Sequence, residues 1–74
     1  MKIKKKKLYK SHGTGFQYVN KLRKIGAYVI IEDNVRIFHP ENINIGSNVY
    51  IGHNSILKGY YNGIMSIGRD TWIG

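Results

Sequence analysis

The chain of 74 residues contains no cysteine, one proline and only four acidic side chains. Without cysteine, neither a disulfide nor a thiolate-bound metal can stabilise a small core. No apolar run approaches the length of a membrane-spanning helix. The first ten residues, MKIKKKKLYK, are basic but lack the apolar segment of a secretory signal. These absences exclude a disulfide-rich secreted scaffold and predict a cytoplasmic protein, and the length allows one domain at most.

Positive charge is concentrated at the start of the chain. Residues 1–24 contain nine Lys and Arg and no acid, whereas residues 25–74 contain three basic and four acidic side chains. A near-neutral body therefore follows a basic lead, residues 1–15, which we expect to be mobile. The lead is a solvated arm, or else it contacts nucleic acid or, through residues 2–10, an anionic membrane. Specific nucleic-acid recognition is not expected, because the KIKKKK run has no aromatics interleaved with its lysines.

Residues 16–24, FQYVNKLRK, have helical periodicity. Phe16, Val19 and Leu22 recur at intervals of three, and Tyr18 precedes Leu22 by four residues. The spacing predicts a short amphipathic helix of about two turns. Its apolar side would cover the N-terminal end of the core that follows.

From Ile25 onwards, aliphatic residues recur every six positions. Neither a helix nor a strand has this period, so it indicates an internal repeat. A slip of two residues after Ile43 and a longer step through residues 58–66 interrupt it. The repeated residues are Ile25, Ile31, Ile37, Ile43, Ile45, Ile51, Leu57, Ile67 and Ile73.

Each hexad combines a short strand with a tight corner. Asn or Asp stands three residues after the aliphatic residue at positions 34, 48, 54 and 70, and these residue types tolerate left-handed backbone angles. Three hexads close a triangular coil, so residues 25–74 predict an all-β solenoid of about two and a half coils. Residues 58–63 form a protruding loop. The predicted inward columns are Ile25/Ile45/Ile67, Ile31/Ile51/Ile73 and Ile37/Leu57.

The segments IGSNVYIGHNSI and IGRDTWIG fit the pattern aliphatic-Gly-x-x-small-x. Over residues 20–74 the chain resembles the hexapeptide-repeat acyltransferases, and HPENINIGSNVYIGHNSILKGYY resembles their bacterial sugar O-acetyltransferase branch. The resemblance implies a left-handed parallel β-helix and transfer of an acyl group from acetyl-CoA, or another acyl-CoA, to a sugar or surface-polysaccharide hydroxyl. It also implies a homotrimer and no permanently bound cofactor.

The resemblance further implies a histidine general base on a later coil, because a sugar hydroxyl is a poor nucleophile until a base removes its proton. The sequence ends at Gly74, within a hexad. We therefore expect an N-terminal portion of an acyltransferase that is inactive alone. The alternative is a non-enzymatic binding module that uses its Lys-rich arm on nucleic acid or an anionic membrane.

Six residues are candidates for a functional role. His53 points outward, either as a catalytic base or as a surface residue stacked over Asp33. Tyr60 and Tyr61 in the loop either bind a sugar or pack the loop down. An outward apolar stripe is either a subunit interface or a set of ordinary surface apolar residues, which the amphipathic helix could cover. No metal site is expected, because the histidines at 12, 39 and 53 share no column. The stripe comprises Ile30, Tyr50 and Trp72.

Overall fold

Short parallel strands dominate the structure, a computed structural model that describes residues 9–10 and 18–74. Sheet A has the strand order β1-β3-β6-β9, sheet B has the order β2-β5-β8, and sheet C pairs β4 with β7. From β2 onwards the chain visits sheets B, A and C in rotation. The strands are β1 Tyr9–Lys10, β2 Lys24–Ile25, β3 Val29–Ile31, β4 Arg36–Phe38, β5 Ile43–Ile45, β6 Tyr50–Ile51, β7 Ile56–Lys58, β8 Met65–Ile67 and β9 Trp72–Ile73.

The strand registers confirm the three predicted inward columns. Ile25, Ile45 and Ile67 align in sheet B, and Ile31, Ile51 and Ile73 align in sheet A. Ile37 and Leu57 align in sheet C. Paired residues lie 20 or 22 positions apart, the larger offset reflecting the two extra residues before Met65. The arrangement is compatible with a parallel β-helix.

The aliphatic residues of the repeat form the core. Ile31, Ile43 and Ile51 are at most 1% exposed. Val29, Val35 and Val49, each four residues after a repeated position, are equally enclosed. One side of each strand from β3 to β7 is thus buried, as the core of a small β protein requires.

All four predicted corner residues have left-handed backbone angles. Asn34, Asn48, Asn54 and Asp70 have φ values between 59° and 64°. Their side chains also link successive corners: Asn34 Nδ2 donates to Asn54 Oδ1 over 2.7 Å, and Asn48 Nδ2 donates to Asp70 Oδ1 over 2.9 Å. Asn therefore serves both the local backbone and the contact between neighbouring corners.

The predicted helix at residues 16–24 is wrong for the part that the structure describes. Residues 18–23 form a turn in which the amides of Lys21 and Leu22 both donate to the carbonyl of Tyr18. The Arg23 amide instead donates to the carbonyls of Pro40 and Ile43, and β2 begins one residue later. Competition from the sheet therefore ends the helical turn. Val19 and Leu22 nevertheless pack into the core as expected, while Phe16 lies outside the described residues.

Two further boundaries differ from the predictions. Tyr9 and Lys10, assigned to the mobile lead, form β1, which pairs with β3 because that strand offers unpaired backbone groups at its edge. Lys58 belongs to β7 rather than to the loop, and Gly59 is buried, so the exposed loop covers residues 60–64. Within the described residues, no helix is long and apolar enough to cross a membrane.

Candidate functional site

The outward stripe on sheet A is the centre of the candidate site. The registers align Ile30 with Tyr50 and Tyr50 with Trp72, as the hexad spacing predicts. The Tyr50 and Trp72 rings lie 4.7 Å apart between centroids and are tilted by 46°. Trp72 is 75% exposed, so the stripe presents a large aromatic surface to a partner or ligand.

A groove of about 430 Å³ runs beside this stripe. Its second wall is the corner formed by Tyr28, Asn48 and Asp70, all three of which have positive φ. The hydrogen bond from Asn48 fixes the Asp70 carboxylate, and Arg69 Nε lies 3.4 Å from the same carboxylate. One wall of the groove is therefore aromatic and the other presents polar groups at fixed positions, which is the usual composition of a small-molecule site.

A titratable cluster lies next to the groove. Glu32 is 7% exposed and is the only charged side chain buried among the described residues. Desolvation raises the pKa of Tyr50 above 10.0, and the charge of Glu32 and its hydrogen bond with the phenol raise this pKa further. His53 Nε2 lies 4.0 Å from Glu32 Oε1.

His53 therefore faces a different carboxylate from the one expected. Backbone pairing brings its segment beside residue 33, since the Asn54 amide donates to the Asp33 carbonyl. The imidazole, however, approaches Glu32 and is 55% exposed. This arrangement leaves one side of the ring open to solvent beside a carboxylate, which is compatible either with acid–base work or with a surface ion pair.

The loop tyrosines form a separate surface. The Tyr60 and Tyr61 rings lie 4.7 Å apart, and both remain more than half exposed. Asn42 Nδ2 holds the loop by donating to the Tyr60 carbonyl over 2.7 Å. The loop backbone is thus anchored while the rings are exposed, and neither ring lines the groove.

The other described histidine does not join the cluster. His39 precedes the 3-10 turn Pro40–Asn42, makes no side-chain capping hydrogen bond to it, and lies 3.4 Å from Glu41 Oε2. His12 lies outside the described residues, as do residues 2–8 of the basic lead. In the part of the chain that the structure describes, no three His, Asp or Glu side chains are grouped so as to hold a metal ion.

Two residues of the site were not among the sequence candidates. Glu32 follows Ile31, at the position where Gly26, Gly46 and Gly52 follow their aliphatic residues. Tyr28 occupies the corner position that is Asn at residue 48 and Asp at residue 70. In both cases the sequence signal is a residue type that departs from the hexad repeat. Such a departure indicates a functional position, because the residue does not serve the repeat structure itself.

Comparison with protein-family models, with curated proteins and with solved structures finds no match.

Proposed function

We propose that the chain forms coils of a left-handed parallel β-helix and acts in acyl-CoA-dependent O-acetylation of a sugar or surface-polysaccharide hydroxyl. The observation that supports this proposal is the agreement between the hexad spacing and the three parallel sheets, whose partners lie 20 or 22 residues apart. A hexad repeat with Gly after the aliphatic residue resembles the sequence pattern of hexapeptide-repeat acyltransferases. The acyl group, the acceptor and the trimeric state follow from that resemblance alone.

The proposed reaction transfers an acyl group from a thioester to an alcohol. The hydroxyl oxygen attacks the acyl carbonyl carbon while a base takes its proton, and the carbon–sulfur bond then breaks. The departing thiolate receives a proton, so the products are the ester and free CoA. His39 and His53 both lie beside a carboxylate, but the partner of His53, Glu32, also interacts with Tyr50, which lines the groove, and this makes His53 the residue to test as base.

Aromatic side chains supply the surfaces for the acceptor and for neighbouring subunits. Tyr60 and Tyr61 present exposed rings on an anchored loop, suited to stacking on the apolar side of a pyranose. Ile30, Tyr50 and Trp72 form the proposed subunit interface, since Tyr and Trp are favoured at interfaces and Trp72 is 75% exposed.

Acetyl transfer by the protein purified from its own source tests the proposal. The protein is incubated with acetyl-CoA and a panel of mono- and oligosaccharides, and both thiol release and acetylated sugar are measured. From the protein as its source produces it, we expect thiol release that depends on the sugar, together with a sugar that has gained one acetyl group, whereas the 74 residues by themselves are expected to give neither product. A folded source protein that gives neither product with any acceptor would contradict the proposal.

Two substitutions assign residues within the same assay. His53→Asn keeps a polar side chain but cannot take the hydroxyl proton, so transfer that survives it means that another residue is the base. Tyr61→Ser with Tyr60→Ser removes the stacking surface. We expect a raised KM for the sugar with an unchanged KM for acetyl-CoA, because only acceptor binding is affected.

A further inference from the structure

The outer side of sheet C differs from those of the other two sheets. In β4 and β7 the outward side chains are Arg36, Phe38, Ile56 and Lys58, all of them exposed. We call these four residues the sheet C surface. Sheet B instead presents polar residues at its outward positions, and sheet A presents the stripe of the candidate site.

The sheet C surface alternates cationic and apolar side chains in both directions. Arg36 pairs with Ile56, and Phe38 pairs with Lys58. Strands of a sheet lie about 4.8 Å apart, so each cation has an apolar neighbour across the pair and another along its own strand. Phe38 is 46% exposed and Ile56 is 59% exposed, values that leave much of each side chain in water.

The charge of this surface has one sign. Ion pairs in the described part of the chain join His39 to Glu41, His53 to Glu32 and Arg69 to Asp70, and none of these involves Arg36 or Lys58. Arg36 and Lys58 are thus available to an external anion. Long basic side chains also extend their charged ends past neighbouring apolar groups, which lets a single surface satisfy apolar and anionic contacts together.

We infer that the sheet C surface docks on an anionic lipid bilayer. Phe38 and Ile56 would enter the headgroup region, while Arg36 and Lys58 contact lipid phosphates, as on interfacial amphipathic elements. A nucleic acid matches the surface less well, because the aliphatic Ile56 neither stacks on a base nor contacts a phosphate. The inference does not depend on the proposed acyltransferase activity, and it concerns a different sheet from the groove.

Tryptophan quenching by lipid identifies which sheet meets the bilayer. Trp72, on sheet A, is the single tryptophan of the chain, so the wild-type protein reports on that sheet. Phe38→Trp combined with Trp72→Phe moves the reporter to sheet C. With vesicles of equal parts phosphatidylcholine and phosphatidylglycerol that contain a brominated lipid, we expect quenching of the moved reporter and little quenching of Trp72.

Vesicle partitioning measures the contribution of each part of the surface. Arg36→Glu with Lys58→Glu is expected to lower the partition coefficient by at least tenfold, because one basic residue near an anionic surface contributes roughly fivefold. Phe38→Ser with Ile56→Ser should also weaken binding. Lys24→Glu is the matched control, since it reverses an exposed cation on sheet B and should have the smaller effect.

The basic lead is tested separately. Replacing the lysines at positions 2, 4, 5, 6 and 7 by Gln removes five of the six lysine charges of the lead from the full-length chain and leaves Lys10, which belongs to β1. We expect the remaining binding to depend still on the sheet C surface. Three outcomes would each overturn the inference. They are equal vesicle binding by the wild type and both sheet C variants, lipid quenching of Trp72 rather than of the moved reporter, and no binding to anionic vesicles. Circular dichroism of every variant verifies that the fold is retained.

Discussion

At the scale of single residues, the least expected feature is the backbone of Tyr28. Its φ is 59°, in a region that bulky side chains rarely occupy, and its ring is 59% exposed. The equivalent corner residues of the next coils are Asn48 and Asp70, which tolerate this conformation better. Backbone strain retained at the wall of a groove is typical of a functional position. The side chain of Tyr28 therefore lines the groove, and its left-handed backbone lowers the stability of the fold.

Tyr28→Asn is expected to stabilise the protein. Relief of the left-handed strain should raise the free energy of unfolding by roughly 0.5–1 kcal/mol, measured by urea denaturation. Tyr60→Asn is the control, because Tyr60 is equally exposed but is not among the residues with positive φ. A Tyr28→Asn variant no more stable than the control would show that the corner carries no strain.

The contact between Glu32 and Tyr50 predicts how the phenol titrates. Desolvation, the Glu32 charge and their hydrogen bond all raise the pKa of Tyr50. Glu32→Gln removes the charge, so the pKa of Tyr50 should fall towards 10.0 while remaining raised by desolvation. Tyrosinate absorbance, with Tyr50→Phe to identify the signal, measures this pKa.

The same shift gives a pH dependence of stability. A tyrosine whose pKa is higher in the folded state contributes stability that is complete below its unfolded value of 10.0. This contribution is lost as the pH rises through the folded pKa. Wild-type stability should thus decline above pH 10.0, and less so in Tyr50→Phe. Identical declines in the two proteins would contradict the shift.

At the scale of strands and corners, the close approach of the Gly46 backbone to the backbone of Gly68 and Arg69 is tested by substituting two equivalent glycines. A Cβ on Gly46 would lie 2.7 Å from the amide nitrogen of Arg69, a backbone atom that cannot move aside alone. A Cβ on Gly68 would meet nothing within 4 Å. Gly46→Ala should therefore destabilise the protein by about 1–3 kcal/mol, whereas Gly68→Ala should stay within about 0.5 kcal/mol of the wild type. Thermal and urea unfolding of both variants measure the difference, and equal effects would contradict the observed spacing.

The strands and corners could be predicted from the sequence because each of their positions restricts the residue types that fit the local backbone and burial. An inward position needs an aliphatic residue and a left-handed corner favours Asn or Asp, so Ile51 and Asn48 identify their own places. Contacts between distant segments leave no such signal. Leu22 keeps its predicted place in the core, yet the helix around it ends because the next amide pairs with the carbonyls of Pro40 and Ile43.

The candidate site was predictable only in part, for the same reason. Tyr50 and Trp72 share an outward column that the spacing reveals. Glu32 is buried by contacts with a strand about 20 residues later, which its own neighbours in sequence do not indicate. The proposed base His53 could be identified because it is a histidine at an outward position. The carboxylate that it faces could not be identified, because the direction of a side chain at a corner depends on packing against neighbouring corners.

At the scale of the whole molecule, the three sheets present three different surfaces. Sheet A presents the half-buried Tyr50 beside the exposed Trp72, sheet B presents polar outward residues, and sheet C mixes cations with apolar groups. Phe38 and Trp72 are both exposed, on different sheets. If sheet A joins subunits and sheet C contacts a bilayer, substitution of Trp72 should disrupt assembly alone, and substitution of Phe38 should disrupt vesicle binding alone.

Trp72→Asp is expected to disrupt self-association. Light scattering on a size-exclusion column should give the wild type roughly three times the 8.5 kDa of one chain and shift Trp72→Asp towards a single chain, because a buried charge at an interface core is costly. Phe38→Asp is the matched control: it adds the same charge to sheet C and should retain the larger mass while losing vesicle binding. A wild type that runs as one chain, or a mass reduced equally by both substitutions, would remove the assignment of sheet A as the subunit interface.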